Sequence, residues 1–204
     1  GLERAARIIA VSAATRRDVE NILGIPADRI RQIYDALDPR FLEPRRSGDG
    51  AESARQRILE RYQINHPFLL YAGAVRPQKN IPRLVEAFAV LRNDLERHPV
   101  YKDLRLIIIG DEISRYPAVR RSVNKTRMEN YVRFLGFVPF ETLRAFFEAA
   151  SAFVFPSLYE GFGLPPLEAM ASGTPVVTSH VSSLPEVVDQ AAMFVNPENV
   201  FDIA

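Results

Sequence analysis

The 204-residue sequence contains no cysteine, which removes disulfides, thiolate catalysis and cysteine-ligated zinc at once. Its three histidines, His66, His98 and His180, lie too far apart in the sequence to suggest a ligand set. An excess of charge is lacking as well. Lys and Arg number 26 against 25 Asp and Glu, so no global field draws the chain to nucleic acid or to an anionic membrane. No apolar run approaches the ~20 residues that span a bilayer, and the N-terminal stretch does not read as a signal peptide. No Asp-x-Asp pair offers a divalent-metal site, and nothing repeats at a fixed period. A cytoplasmic protein without a nucleic-acid partner is the expectation.

What is present is an ordinary globular composition, 47% apolar and 25% charged. From Phe68 onward, short apolar runs alternate with segments of helical period, the mark of βα units on a parallel sheet. Strands are predicted at Phe68–Ala72, Arg105–Ile109, Val132–Leu135, Ala152–Phe155, Pro175–Thr178 and Ala192–Val195. They are nearly continuous in apolar residues, as strands covered on both faces must be. Ile81, Leu84, Phe88 and Leu91 recur at helical spacing, with Asn80 as the expected cap. The fold class is therefore α/β, a Rossmann-like parallel sheet with helices on both faces. The first 44 residues differ: a strand at Arg7–Val11, a helix at Ser12–Leu23 capped by Ser12 or Thr15, and a strand at Arg29–Ile33 precede any sustained repeat. Polar, glycine-containing Pro44–Ala51 reads as a linker.

The strongest local signal runs from Pro156 to Met170, where an apolar strand meets Glu160-Gly161-Phe162-Gly163-Leu164-Pro165-Pro166 and then a helix containing Glu168. Pro165 and Pro166 suit a first helical turn, whose N–H groups have no partner in any case. Glycines before that turn leave backbone N–H groups free beside a helix N-terminus, an arrangement that favours an anion. A bare strand-to-helix turn is the plainer reading of two glycines. The flanking carboxylates argue for more, because an acid beside a diphosphate is useful only as an acceptor for sugar hydroxyls. Lys79, at the mouth of an earlier strand-to-helix loop, is solvated on the plain reading and a counter-charge for that diphosphate on the functional one. Tyr159 and Phe162 read as loop packing, and His180 as structural. The basic set Arg115, Arg120, Arg121, Lys125, Arg127 and Arg133 reads as a solvated helix face.

Glu160, seven residues and Glu168, with Gly-Phe-Gly-Leu-Pro inside, resemble the signature of the retaining glycosyltransferase family 4, whose fold is the two-domain GT-B architecture. Tyr71–Asn80 resembles the family's first strand and phosphate loop in the C-terminal domain, and Leu106–Asp111 its strand ending in Gly-Asp. Val132–Pro139, Ser172–Val177 and Leu184-Pro185-Glu186-Val187 match further family segments in the right order. Ile8–Thr15 resembles the last strand and helix of a GT-B N-terminal domain, and Ile33–Pro39 the crossover between domains. Two departures stand out: Ala74 where the family commonly has arginine, and Ala36-Leu37 where Asn-Gly is usual.

The resemblance implies that Lys79 contacts the donor diphosphate, Glu160 the transferred sugar and Glu168 the ribose. The amides of Gly161, Phe162, Gly163 and Leu164 would hold phosphates and sugar hydroxyls, Arg76 would replace the missing arginine, and Phe137–Val138 would face the base. Glu160 and Lys79 are the catalytic candidates, with no metal and no cofactor besides a GDP- or UDP-linked sugar donor. Similarity of the Arg76–Asn80 loop to polysaccharide mannosyltransferases favours mannose. By domain, residues 1–44 would be the tail of an N-terminal domain with the crossover, 45–66 a linker and first helix, and 67–204 the nucleotide-sugar domain, cut at its C-terminus. The saccharide or lipid-linked acceptor, and any peripheral membrane contact, would belong to N-terminal parts absent from this sequence, so the fragment alone would be inactive. Other readings are a GT-B epimerase or phosphorylase, or a non-catalytic nucleotide-binding module.

Overall fold

A computed structural model describes residues 2–43, 49–111 and 116–204. Two hydrophobic clusters divide them. The smaller belongs to a βαβ unit: β1 (Ile8–Ala10) pairs in parallel with β2 (Ile30–Gln32), and α1 (Ala13–Leu23) connects them. Ile8, Ala10, Ile25 and Ile30 are buried there, with Val19 of α1 packed against them. The helix begins where expected because the Ser12 hydroxyl accepts from the Thr15 amide, meeting one of the donors a helix start leaves open.

After the short α2 (Pro39–Leu42) comes α3 (Asp49–Arg61). Of the expected linker, Pro44–Gly48 lies outside the described residues, and the remainder is helical. Gly50 falls in the first turn of α3, and the Ala, Glu and Arg that follow are strong helix formers, which overrides the linker reading.

The larger unit is a six-stranded parallel sheet: β3 (Phe68–Ala72), β4 (Arg105–Ile109), β5 (Val132–Gly136), β6 (Ala152–Phe155), β7 (Val176–Ser179) and β8 (Met193–Val195). Three of the expected strands match residue for residue, and the others differ by one residue at one end or both. Their order in the sheet is β5-β4-β3-β6-β7-β8. The chain winds outward from β3 in one direction, then returns to β6 and winds outward in the other. The connecting helices are α4 (Ile81–Asp94), α5 (Pro117–Thr126), α6 (Phe140–Ala149), α7 (Leu164–Ala171) and α8 (Leu184–Val188), and α9 (Val200–Ile203) closes the chain. Helix α4 packs with α5 and α9, while α6 packs with α3 and α7, so each face of the sheet carries a helical layer.

The core lies between these layers. Leu70, Tyr71, Leu106, Ile107, Ile108, Phe153 and Phe155 are fully enclosed from the sheet, and Ile81, Leu84 and Phe88 meet them from α4. Each side chain of this size contributes about 1.5–3 kcal/mol by leaving water. Doubly wound sheets open a crevice beyond the strand C-termini where the winding reverses, here between β3 and β6.

Candidate functional site

The loops after β3 and β6 flank that crevice and are tied to each other. The Leu158 amide donates to the Gln78 carbonyl at 2.7 Å. Asn80 donates through Nδ2 to the carbonyls of Pro156 (3.1 Å) and Pro197 (2.7 Å). Asn80 occupies the N-cap position of α4, as its sequence position suggests, but in a left-handed conformation with φ 60° and no side-chain cap. The expected capping bond is therefore absent: the amide is spent on joining three segments, a pairing that only the fold brings about.

Lys79 stands in a one-turn 3-10 helix, Pro77–Lys79, and reaches across the crevice to Glu160. Its Nζ lies 2.6 and 2.7 Å from the two carboxylate oxygens. Both side chains are largely enclosed, 16% and 11% exposed, and the ammonium also sits 5.1 Å from the centre of the Phe155 ring. The solvated reading of Lys79 is thereby excluded. Beneath the pair, Tyr71 donates its hydroxyl to the Ala74 carbonyl at 2.9 Å. Burial, reinforced by the nearby Glu160 and Asp111 charges, raises the Tyr71 phenol above its ordinary range and keeps it protonated.

Residues 161–163 then turn the chain into α7, which begins at Leu164 with prolines in its first turn. Among the described residues, the amides of Gly161, Phe162, Gly163 and Leu164 have no partner in the chain. Gly163 has φ +131°, and a Cβ there would meet Leu184 Cδ2 at 2.9 Å, so this position requires glycine. Gly161 does not: its φ is unexceptional and a Cβ would make only ordinary contacts. The two glycines are thus unequal, although the sequence presents them alike. Phe162 is buried against Tyr34, as its packing role predicts, whereas Tyr159 is half exposed and donates its hydroxyl to Asp18 at 2.5 Å.

The other candidates spread along the same edge. Glu168, one turn into α7, is half-buried, and its carboxylate has no hydrogen-bond partner among the described residues. Burial, then the charge of Asp38, raises its carboxyl above the usual range. Arg76 turns away from Glu160, toward the end of β4, where it meets Asp111 at 3.3 Å and the Tyr116 hydroxyl. Asp111 also accepts from the Val75 amide at 3.0 Å, which fixes the loop's shape. Lys79 and Arg76 therefore diverge to opposite sides of β3. Phe137 follows β5 and is 82% exposed, and Val138 beside it packs partly into the core.

Side chains for which sequence pattern suggests no role hold the turn in place. Ser182 accepts the Glu160 amide at 2.9 Å, and buried Ser183 donates to the carbonyls of Glu160 (2.9 Å) and Phe162 (2.5 Å). Thr15 donates to the Gly161 carbonyl at 2.9 Å. The signal that could have found the serines is Ser183-Leu184-Pro185-Glu186, which has the spacing of a capping box. Here both ends of the box are diverted: Ser183 to the turn, Glu186 to α1.

Of the remaining described residues, Arg133 departs from the solvated-helix reading, because it stands on β5 and is half-buried, and the others behave as the plainer readings predict. His180 packs edge-on against Phe194. Arg120, Arg121, Lys125 and Arg127 lie on and just after α5, Arg133 bonds the Tyr62 carbonyl, and Arg115 lies outside the described residues. No group of three or more His, Asp or Glu side chains among the described residues is arranged to hold a metal ion. Chemically, the described residues of the crevice offer the Lys79 ammonium, a row of free amides and two carboxylates able to accept from hydroxyls.

Comparison with known proteins gives a consistent result. The family model of glycosyl transferases group 1 matches residues 55–204. The O-antigen chain mannosyltransferase B of Escherichia coli is 36% identical over 201 residues, 98% of this chain and 50% of that protein. Serotype-specific mannosyltransferase WbdA of Escherichia coli is 33% identical over 202 residues, 98% of this chain and 24% of its own length. Among solved structures, Anabaena HepE in complex with UDP-glucose matches with a TM-score of 0.80 at 22% identity, covering 98% of this chain and 52% of that one. The chain thus spans about half or less of these proteins, and the structural likeness speaks to the fold.

Proposed function

Because the chain belongs to the group 1 glycosyl transferases, we propose that it forms the donor-binding half of an enzyme transferring a sugar from a nucleoside diphosphate to an acceptor hydroxyl, with retention of configuration. The observation that carries the reading is the enclosed Lys79–Glu160 pair, at 2.6 Å, beside four unpartnered amides where the sheet winding reverses. A diphosphate laid on those amides competes for the Lys79 ammonium, which turns from the carboxylate to the phosphate oxygens. Glu160, so released, accepts from hydroxyls of the transferred sugar. The bond from the anomeric carbon to the diphosphate oxygen breaks, the acceptor oxygen bonds that carbon, and the acceptor's proton leaves with the diphosphate. Lys79 and the amides stabilise the charge developing on the leaving group, and no metal takes part.

Glu168 accepts from the ribose hydroxyls, the Phe137–Val138 segment faces the base, and Arg76 serves the phosphates only if it leaves Asp111. The two mannosyltransferase relatives favour mannose as the sugar and polysaccharide synthesis as the setting. The same proposal assigns residues 1–44 to the end of an acceptor-binding N-terminal domain, 45–66 to the connection and 67–204 to the donor domain. It also includes a cytoplasmic location, with any membrane contact peripheral; no described helix is long and apolar enough to cross a membrane.

Calorimetric titration with GDP and UDP tests the reading. One of them binds to the 204-residue chain, Glu168→Ala weakens it, and no sugar is transferred by this chain alone. No heat with either nucleotide sinks the proposal.

A further inference from the structure

The segment that carries the free amides is held from two directions, and one carboxylate lies where the two holds join. Glu186, on α8, accepts the Ala13 amide at Oε2 (2.9 Å) and the Ala14 amide at Oε1 (2.8 Å). Its Oε2 also accepts from the Tyr34 hydroxyl at 3.0 Å. These donors lie 152 to 173 residues away in sequence, on the βαβ unit and the segment that follows it. One carboxylate therefore fixes both the start of α1 and the exit of the unit, with favourable charge at a helix N-terminus.

Just before Glu186, Ser182 and Ser183 grip residues 160 and 162. The βαβ unit itself touches the same segment through Thr15 on the Gly161 carbonyl and Asp18 on Tyr159, and the Tyr34 ring just beyond it lies against Phe162, 5.8 Å between centres. Three contacts thus reach the 159–162 segment from a unit whose hydrophobic cluster is separate from the main core. The unit's position on the larger domain rests heavily on such polar bonds, and Glu186 makes three of them.

We infer that Glu186 is a positioning residue: by clamping α1 and Tyr34 onto α8 it holds the βαβ unit against the turn, and so sets the direction of the Gly161–Gly163 amides. Glu186 touches no part of the site itself. It acts through Thr15 and Tyr34, so docking of the βαβ unit and the shape of the turn are energetically linked, and by reciprocity a ligand on the turn tightens the docking. Only the nucleotide measurement below rests on the donor-site reading.

The test is amide NMR on the chain and its Glu186→Ala, Glu186→Gln and Tyr34→Phe variants. In Glu186→Ala the Ala13 and Ala14 amides exchange faster by roughly tenfold or more, and the signals of Gly161, Phe162 and Gly163 move, while β4 amides keep their positions. Glu186→Gln, which still accepts from one amide through its carbonyl oxygen, moves the same signals less. Tyr34→Phe keeps the ring on Phe162 and loses only the hydroxyl, giving the smallest change in the same direction; these two variants decide the matter if Glu186→Ala does not fold. A cap that serves α1 alone would alter Ala13 and Ala14 and leave Gly161–Gly163 at their original positions, and that result overturns the inference. Titration with GDP and UDP adds a second readout: affinity falls about three- to tenfold in Glu186→Ala, whereas wild-type affinity in that variant argues against the linkage. Should the unaltered chain bind neither nucleotide, the donor-site proposal fails while the NMR outcome still decides the role of Glu186.

Discussion

Replacing Lys79 by methionine removes the ammonium and keeps an unbranched apolar stem, so the packing against Phe155 changes little. At 2.6 Å and an effective dielectric constant near 20, the gross attraction to Glu160 is about 6 kcal/mol, most of it offset by the cost of desolvating both ions. What the substitution exposes is that cost: Glu160, 11% exposed, is left enclosed and unpaired. Removing one partner of a fully buried pair costs about 3–5 kcal/mol, and the residual exposure here lowers this to about 2–3 kcal/mol. In a domain of this size the melting temperature then falls by about 4–12 °C. Circular dichroism melts of Lys79→Met, Glu160→Gln and the double variant measure it. Because Glu160→Gln takes away the charge that Lys79→Met strands, the double variant recovers at least about 1 kcal/mol relative to the sum of the single losses. Losses that add to within about 0.5 kcal/mol would show that the two groups do not interact in solution, and the reasoning about the crevice would fall with them.

Four further outcomes rest on the same geometry. Glu160→Gln frees Lys79 from its partner, so the chain binds the bare nucleoside diphosphate more tightly, by about three- to tenfold, in calorimetry; weaker binding would contradict the competition. Glu168 has its carboxyl raised by burial and Asp38, so its ionisation opposes folding: Glu168→Gln raises the melting temperature at neutral pH. That gain is lost as pH falls below the ordinary glutamate value of 4.5, where both states are protonated, and a pH series of melts checks the sign. Gly163→Ala, with φ +131° and Leu184 at 2.9 Å, costs about 1–3 kcal/mol in denaturant unfolding and also weakens nucleotide binding. Gly110→Ala is more damaging, since its Cβ would stand 2.0 Å from the Gly73 carbonyl; a loss of about 3 kcal/mol or more is expected, and a wild-type melt would refute the packing of β3 on β4.

Strands and helices were legible because their signals are local. The apolar runs at 68–72, 105–109 and 152–155 are uniform enough to fix both ends of each strand, and of the two caps that the sequence offers for α1, Ser12 and Thr15, the first is the one used. The family resemblance points to Glu160, Lys79 and the Gly161–Leu164 amides, which the fold brings to one crevice. What stayed hidden depends on pairs far apart in sequence. Nothing in Asn80 announces that its amide will join Pro156 and Pro197, 76 and 117 residues on. Arg76 reads as a neighbour of Lys79, yet the short stretch of chain between them turns the two to opposite sides of a strand. Glu186 looks like half of a capping box, and only the docked βαβ unit explains where its carboxylate goes.

The reversal of winding between β3 and β6 also bears on how such a protein can change. A hollow made by chain topology does not depend on which side chains line it, because the strands beneath are held by Leu70, Tyr71, Phe153 and Phe155 and not by the loops above. Sequence in the two rims can therefore drift, or be randomised in a library, with the scaffold intact, provided Gly163, the Asn80 bridge and the Lys79–Glu160 pair are kept. New specificities on this frame should be sought among rim residues such as Ala74, Arg76 and Tyr159, where substitution leaves the enclosed layers untouched.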